Sequence, residues 1–431
     1  MTIYTVRDGD SLYTVARRFG TTAKQIAQDN VLTRPDELVV GQTLVILDPI
    51  RTDTALAGDD AYTVAARNGI STNQLWRNNP ILGGGREIEA GTVLNIELPP
   101  PTKGEMSVSG YAYPFIDRAL LRQTLPYLTF LSIFSYGIRP DGSLIEIDDD
   151  ELIALAREYG VAPVMHLSTL TEDGRFSNAL ARQMLGDPAL RAAVIASVRE
   201  VLERKPYVGV DVDFEYVGAE NADNYVTFLQ ELSDAISPLG YEVWGALAPK
   251  VRADQEGILY EGHDYAALGA IADRSLLMTY EWGYTYGPAR AVSPLDQVRR
   301  VVQYGVSEIP AERILLGVPN YGYNWTLPYV AGESRARSLG NEQAVREAWE
   351  VGARIDYDTV SQAPNYRYFA HEDGGAVEHE VWFEDARSVQ AMLSLVPEFG
   401  LDGIAVWNLM RPFVGMWLVL NSEYTIRRVL E

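Results

Sequence analysis

Cysteine is absent from the 431-residue chain, which removes disulfides, thiolate metal ligands and thiol nucleophiles from the chemistries open to it. Basic side chains are scarce: 36 Lys and Arg stand against 59 Asp and Glu, a formal charge of −23. A field of that sign repels phosphate backbones and anionic headgroups, so neither nucleic acid nor a membrane surface is an expected partner. The deficit is uneven, −3 over residues 1–100 and −20 over residues 101–431. Long apolar runs are missing. The most apolar late stretch, Ile404 to Leu420, is broken by Asn408, Arg411 and Pro412 and reads as strand plus loop, not as a span. MTIYTVRDGDSLYTVARRF lacks the basic start and apolar run of a signal peptide and is already patterned as strand, turn and helix, so no signal peptide is expected. The four histidines, His166, His263, His371 and His379, show no paired metal-ligand spacing, and neither a metal nor a cofactor is expected. What is present, 47% hydrophobic residues without low-complexity tracts, suffices for a large core in two to three folded domains. Nothing in the sequence indicates the oligomeric state.

Internal repetition comes next. An offset of 49 places Gly9, Asp10, Tyr13, Thr14, Val15, Ala16, Arg18, Gly20, Gln25 and Asn30 on Gly58, Asp59, Tyr62, Thr63, Val64, Ala65, Arg67, Gly69, Gln74 and Asn79. Each unit reads as a short strand, a Gly-Asp turn, two helices and a closing strand, a βααβ module. The words YTVRDGDSLYTVARRFG, Asn30 and VGQTLVI resemble the LysM family of carbohydrate-binding repeats. That resemblance implies a shallow glycan groove lined by Gly9, Asp10, Ser11, Leu12 and the loop from Asn30 to Pro35. The second copy departs from the family: Ala61 stands at the Leu12 position, and Gly83, Gly84 and Gly85 are expected to loosen its binding loop, leaving either weaker sugar binding or a spacer role. The expected organisation is therefore a first repeat over residues 1–48, a divergent second over 49–97, a semi-rigid Pro-rich linker over 98–105 and a large domain over 106–431.

In the large domain, strand-like words alternate with amphipathic stretches such as Pro188–Arg204 and Ala222–Ile236. The strand words run SVSGYAY, LTFLSIFSYG, VAPVMHL, YVGVDVDFEY, EVWGALAP, SLLMTYE, ILLGVPNYG and GIAVWNL. Eight such alternations predict an α/β fold, a (β/α)8 barrel. The interval from Tyr323 to Phe383 exceeds one loop and predicts a small inserted lobe after strand seven, walling the active-site face.

Within strand four, strict alternation puts Asp211, Asp213 and Glu215 on one face, with same-face neighbours about 6.5 Å apart. Three carboxylates so close inside a barrel do not all ionise, because desolvation and mutual repulsion raise at least one pKa. The alternatives are a metal site or a solvated acidic edge. A helix-loop-helix calcium loop requires glycine at its sixth position, where this run has Tyr216, and an exposed edge would not carry valines on its other face.

GVDVDFEY, with MTYEWG, LGVPNYGYNW, VWFEDARS and GLDGIAVWNL, resembles glycoside hydrolase family 18, the chitinase-like barrels, and within it the spore cortex-lytic and spore-germination N-acetylglucosaminidases. Val208 stands where that family usually has Asp, and Glu281 where chitinases usually have Asp. The resemblance implies retaining, substrate-assisted hydrolysis beside N-acetylglucosamine in peptidoglycan or a chitin-like glycan. In that scheme Glu215 is the general acid and base, Asp213 stabilises the oxazolinium, Asp211 exchanges a proton with Asp213, and Tyr280 holds the acetamido carbonyl. Trp407 offers a stacking floor unless it is core. Tyr111, Tyr136, Met278, Glu281 and Asn320 are further lining candidates, some of them core or rim. It also implies synthesis in the mother-cell cytoplasm and deposition in the spore coat or cortex. A catalytically silent glycan-binding or coat-structural protein, and a chitinase or endoglycosidase, stay open as alternatives.

Overall fold

The computed structural model describes residues 1–171, 176–372 and 375–430, with the backbone alone for Glu372. Each N-terminal repeat is one antiparallel strand pair flanked by two helices. The first pairs Thr2–Thr5 with Thr43–Ile46 and carries helices Leu12–Phe19 and Ala23–Asp29. The second pairs Arg51–Thr54 with Val93–Glu97 and carries helices Ala61–Asn68 and Thr72–Asn78. The 49-residue offset has a mechanical basis. Ser11 and Asp60 cap the first helices by accepting from the backbone N–H three residues on, and Gly20 and Gly69 end them, each at φ 69°. Asn30 donates to the Ile26 and Val45 carbonyls and accepts from Val45 N, clipping the second helix to the closing strand. Asn79 makes the same three bonds to Leu75 O, Asn95 O and Asn95 N.

Eight parallel strands close the barrel: β1 Glu105–Ala112, β2 Phe130–Ile138, β3 Ala162–Ser168, β4 Gly209–Asp213, β5 Glu242–Leu247, β6 Arg274–Leu277, β7 Ile314–Pro319 and β8 Gly403–Trp407. Each pairs with the next, and β8 pairs with β1. Helices Pro188–Arg204 and Ala222–Ile236 run as their periodicity predicts. The interior is filled by inward side chains including Phe130, Val164, Trp244, Leu276, Leu315 and Ala405. At its lower end Arg274 lies over the rings of Phe130 and Trp244, 4.7 and 5.3 Å from their centroids, and pairs with Glu242 and Asp402. After β7 the chain builds the expected lobe: a five-stranded antiparallel sheet containing Gly322–Leu327, Arg337–Leu339, Asp356–Asp358, Ala363–Glu372 and Gly375–Trp382, with helix Asn341–Glu350.

Residues 98–105, read as a semi-rigid linker, lie against the barrel. Pro99 and Pro101 lie beside Asn421 and Tyr424, and Lys103 binds Glu423 through both its backbone N–H and its ammonium. The second repeat is docked: Trp76 packs on Tyr159 at 5.0 Å between ring centroids, and Arg77 donates to Asn421. Gly84 is a contact and not a loosened loop. At φ 70° it sits so near the barrel that a Cβ there would lie 2.0 Å from Arg122 O. The first repeat meets the lobe, where Ile355 N donates to Val40 O and Val39 joins the apolar cluster of Leu339, Ile355 and Phe383.

Candidate active site

The site lies at the C-terminal mouth of the barrel, where such folds place their chemistry. A cavity of about 520 Å³ is lined by Asp213, Glu215, Met278, Tyr280, Glu281 and Trp407, together with aromatic rings from the loops. The parallel register of β3 and β4 sets His166 beside Asp211 and Ser168 beside Asp213, so the acidic strand is met by polar groups and not by aliphatic ones. Tyr111, across the barrel on β1, donates its hydroxyl to Asp211 Oδ2 at 2.6 Å.

Burial sets the electrostatics. Asp211 is fully buried, and desolvation pushes it up to about 6 against the Tyr111 bond that lowers it. Asp213 and Glu215 are coupled, and desolvation raises both. The charges of Asp213 and Glu281 push Glu215 further in the same direction. A proton is therefore shared within the cluster, and burial together with the charges of Asp213 and Glu281 favours the acid form of Glu215. His166 is fully buried and lowered to about 4, so its imidazole is neutral at neutral pH. Its Nε2 approaches Asp213 Oδ2 at 3.5 Å as a polar neighbour, not an ion-pair partner. His166 Nδ1 bonds Ser135 Oγ at 2.9 Å, and Ser135 meets Ser168 at 2.7 Å. Oδ1 of Asp213 accepts no hydrogen bond from the protein although it is buried. A buried acceptor left open at a cavity wall calls for a donor from a bound molecule.

Tyr280 continues the inward face of β6, and its ring rests on Gly317 of β7, where a Cβ would lie 2.9 Å from Tyr280 Cε1. Two residues beside the carboxylates hold left-handed backbone, Tyr216 at φ 54° and Glu281 at φ 66°. Such conformations cost non-glycine residues on the order of 1–3 kcal/mol and persist where surrounding structure enforces them. Glu281 is enforced by the Tyr321 and Tyr323 hydroxyls, which donate to its Oε1 at 2.6 and 2.9 Å. Trp407 forms the floor, its ring 5.2 Å from Phe134 and 5.5 Å from Tyr111.

The structure separates the expected lining residues. Met278, Glu281 and Trp407 line the cavity; Tyr111 lies beneath it, 2% exposed, as a support for Asp211. Tyr136 is displaced from the site. The pairing of β2 with β3 slips between Ile133 and Tyr136, which turns Tyr136 outward, where its hydroxyl donates to Asp149 at 2.5 Å. Asn320 is also not a lining residue; its amide donates to the carbonyls of Asn408 and Arg411 and fixes the loop after β8. The LysM groove residues do not form one cavity. Gly9, Asp10 and Ser11 belong to the capped turn, Leu12 is buried in the repeat core, and the Asn30 side chain is spent on its clip. Residues 30–34 face a different cavity of about 370 Å³ shared with Trp349, Glu384 and Phe413, and Pro35 does not line it. Sequence reasoning missed Phe134, Tyr260, Trp282 and Tyr284 on the cavity wall, and missed His166 and Ser135. For His166 a signal existed, since VAPVMHL places it on the inward period of β3. Among the described residues no cluster of three or more His, Asp or Glu side chains is arranged to hold a metal, and no helix is long and apolar enough to cross a membrane.

Comparison with known proteins adds to this geometry. The model of the LysM domain matches residues 4–47 and 56–97, and that of glycosyl hydrolases family 18 matches residues 165–411. The chain is 38% identical over 432 residues to the cortical fragment-lytic enzyme of Bacillus subtilis (strain 168), with 99% of each covered. Crystal structures of the spore cortex-lytic enzyme SleL superpose with TM-scores of 0.82 (Bacillus megaterium QM B1551) and 0.83 (Bacillus cereus). Both are 33% identical to this chain and match 99% of it, together with 99% and 98% of their own lengths. With an acidic strand four at the mouth of a closed barrel and relatives alike from end to end, the chain belongs to glycosyl hydrolases family 18.

Proposed function

We propose that this glycosidase is an N-acetylglucosaminidase that cleaves peptidoglycan of the spore cortex with retention of configuration, the substrate's own acetamido group acting as nucleophile. The cortex assignment rests on the names of its relatives, the cortical fragment-lytic enzyme and SleL. The mechanistic assignment rests on one observation, the buried and open acceptor oxygen of Asp213 between Asp211 and Glu215, whose pKa burial and neighbouring charges raise. With the sugar over Trp407, Asp213 accepts the acetamido N–H and Tyr280 donates to its carbonyl, aligning that oxygen with C1. Glu215 gives its proton to the glycosidic oxygen, the C1–O bond breaks and the carbonyl oxygen bonds C1 as an oxazolinium, whose charge Asp213 stabilises. Asp211 takes part by exchanging a proton with Asp213. Water then attacks C1, Glu215 receives its proton, and the oxazolinium reopens to the acetamido sugar. The two LysM domains, which we place at residues 1–48 and 49–97, add glycan affinity from the docked face of the same body.

The deciding experiment is hydrolysis of cortex fragments, chitin oligomers and a high-mannose glycopeptide, with the product anomer read by proton NMR before mutarotation. Initial β-anomer with N-acetylglucosamine at the new reducing end, and cortex fragments as best substrate, supports the reading. Initial α-anomer, or no turnover of any of the three, overturns it.

A further inference from the structure

The word VWFEDARS holds two acids, and only one of them has a task in the fold. Asp385 caps helix Ala386–Leu393 by accepting from Arg387 N and Ser388 N, and it pairs with the Arg387 guanidinium at 2.6 Å. Glu384, one residue earlier, is 0% exposed, yet neither of its carboxyl oxygens has a hydrogen-bond partner. Ser388 lies beside it but gives its hydroxyl proton to Asp385 O at 3.0 Å. The backbone at this point is tied down, since Glu384 N donates to Asn341 Oδ1 at 2.9 Å. Two open acceptors on one buried side chain are costly unless a bound donor meets them.

Glu384 lines the cavity of about 370 Å³ between the first repeat and the large domain. The repeat supplies residues 30–34, and the lobe supplies helix Asn341–Glu350, so the cavity exists only in the docked arrangement. Its other charges are matched. Arg34 pairs with Glu37 at 3.0 Å, Asp385 with Arg387, and Arg346 lies in the field of Glu342, which also accepts from Val414 N. Among the described residues, Glu384 forms no ion pair. Burial holds its carboxyl far above the ordinary carboxylate range, so in the empty cavity it keeps its proton. A cation within reach reverses that preference. A hydroxyl would fill the open bonds one at a time without supplying the charge. An ammonium group brings three N–H donors to two open oxygens and the opposite charge with them, and in a chain of net charge −23 the field draws it in. Leu32, Val345, Trp349 and Phe413 give the remaining wall an apolar and aromatic character, which suits an aliphatic stem and tolerates a cation at its end.

Resting on the peptidoglycan reading above, we propose that this cavity is a second ligand site: it takes a primary ammonium group on an aliphatic stem, with Glu384 as acceptor, and the group is the side chain of a diamino acid in a peptidoglycan stem peptide. The site reads the peptide of the polymer, while Asp213, Glu215 and Tyr280 act on its sugar. Because Glu384 gives up its proton when the cation arrives, binding is coupled to proton release. A free diamine has the same chemistry without the glycan, and the test separates the two sources.

The test measures binding by calorimetry on the full chain carrying Glu215→Gln, so that glycan is held without being cleaved. The ligands are a peptidoglycan tetrasaccharide whose stem peptides end in lysine, the same glycan with the lysine side chains N-acetylated, and the free diamine cadaverine. With Glu384 intact, Kd for the amine form lies about tenfold or more below that for the acetylated form. At pH 7 its binding releases a proton, read from the heats in two buffers of different ionisation enthalpy. Adding Glu384→Gln brings the Kd ratio close to one and ends the proton release. A ratio near one with Glu384 intact overturns the proposal, and that measurement needs no variant at Glu384 to fold. A ratio unchanged by Glu384→Gln overturns it too, as does an equal loss for both glycans, which marks Glu384 as structural. Cadaverine bound through Glu384, beside a glycan ratio near one, makes a free diamine the ligand and overturns the stem-peptide source. Turnover of the amine-form glycan by the wild type is followed separately: its absence fails the glycosidase reading, while the Kd ratio decides this site on its own.

Discussion

Replacing Glu215 by Gln keeps the size and shape of the side chain and removes only its ability to give up a proton. Because burial and the charges of Asp213 and Glu281 hold Glu215 in its acid form, glutamine resembles the resting state, and KM should change by no more than a few-fold. Turnover should fall by at least 10²-fold, within the range of about 10² to 10⁴ for a general acid. Stability should move the other way. An unfolded glutamate titrates near 4.5, whereas the folded one titrates higher. Above 4.5 the native state thus binds more protons than the unfolded chain, and stability is lost as pH rises until the folded titration point is passed. The loss is about 1.4 kcal/mol for each pH unit separating the two points. The Gln variant lacks this penalty, so its unfolding midpoint should draw ahead of the wild type between pH 4.5 and the folded titration point and then hold a constant lead. Initial rates on cortex fragments and thermal melts across that pH range measure both effects. More than about a tenth of wild-type activity would remove Glu215 from the role of acid, and a midpoint difference independent of pH would show that its carboxyl is not desolvated.

Asp213→Asn and Tyr280→Phe should each lower kcat by 10²-fold or more with smaller effects on KM, since both act on charge that develops after binding; thiazoline mimics of the oxazolinium should inhibit, and full turnover in both variants would indicate a two-carboxylate mechanism. Tyr111→Phe removes the donor that lowers Asp211, so Asp211 should titrate above about 6 and the acid limb of the pH–rate profile should move upward; an unmoved limb would detach Asp211 from turnover. Gly84→Ala combines a left-handed backbone cost of about 1–2 kcal/mol with a clash against Arg122 O and should lower the melting midpoint by several degrees. Gly83→Ala, at φ 59° with open space around its Cβ, carries the backbone cost alone, and equal midpoints for the two variants would contradict docking at Gly84.

Period and spacing carry far in this chain. The alternation in GVDVDFEY fixes which carboxylates share a face, and the helix–strand rhythm fixes the barrel, because both follow from backbone geometry within one element. What spacing cannot carry is register between elements. His166 meets Asp211 only because β3 and β4 pair in one particular offset, and neither strand alone specifies it. Tyr136 shows the same limit from the other side: a slip in the β2–β3 pairing reverses the alternation after Phe134, so a residue counted onto the inner face is delivered to the outer one. The loop aromatics Tyr260, Trp282 and Tyr284 are further from reach, since no period governs a loop.

The glycines of the repeats make the physical point more general. Composition reads Gly83-Gly84-Gly85 as slack, because glycine has the widest backbone freedom in an unfolded chain. In the folded chain the same absence of a side chain admits a neighbour, and at Gly84 and at Gly41 that neighbour is the backbone of the large domain. A Cβ would stand 2.0 Å from Arg122 O in the first case and 1.9 Å from Ile355 O in the second. One glycine belongs to each repeat, and the two contacts lie on different parts of the large domain, one on the barrel and one on the lobe. Two contacts of this kind hold the repeats in orientation as well as in proximity. The first repeat's loop 30–34 is thereby turned toward the lobe, whose helix Asn341–Glu350 lines the cavity that the loop faces. Repeats and large domain are consequently held in one arrangement by these contacts, and on the proposed function a substitution at either glycine should lower kcat/KM on long glycans before it lowers that on short ones.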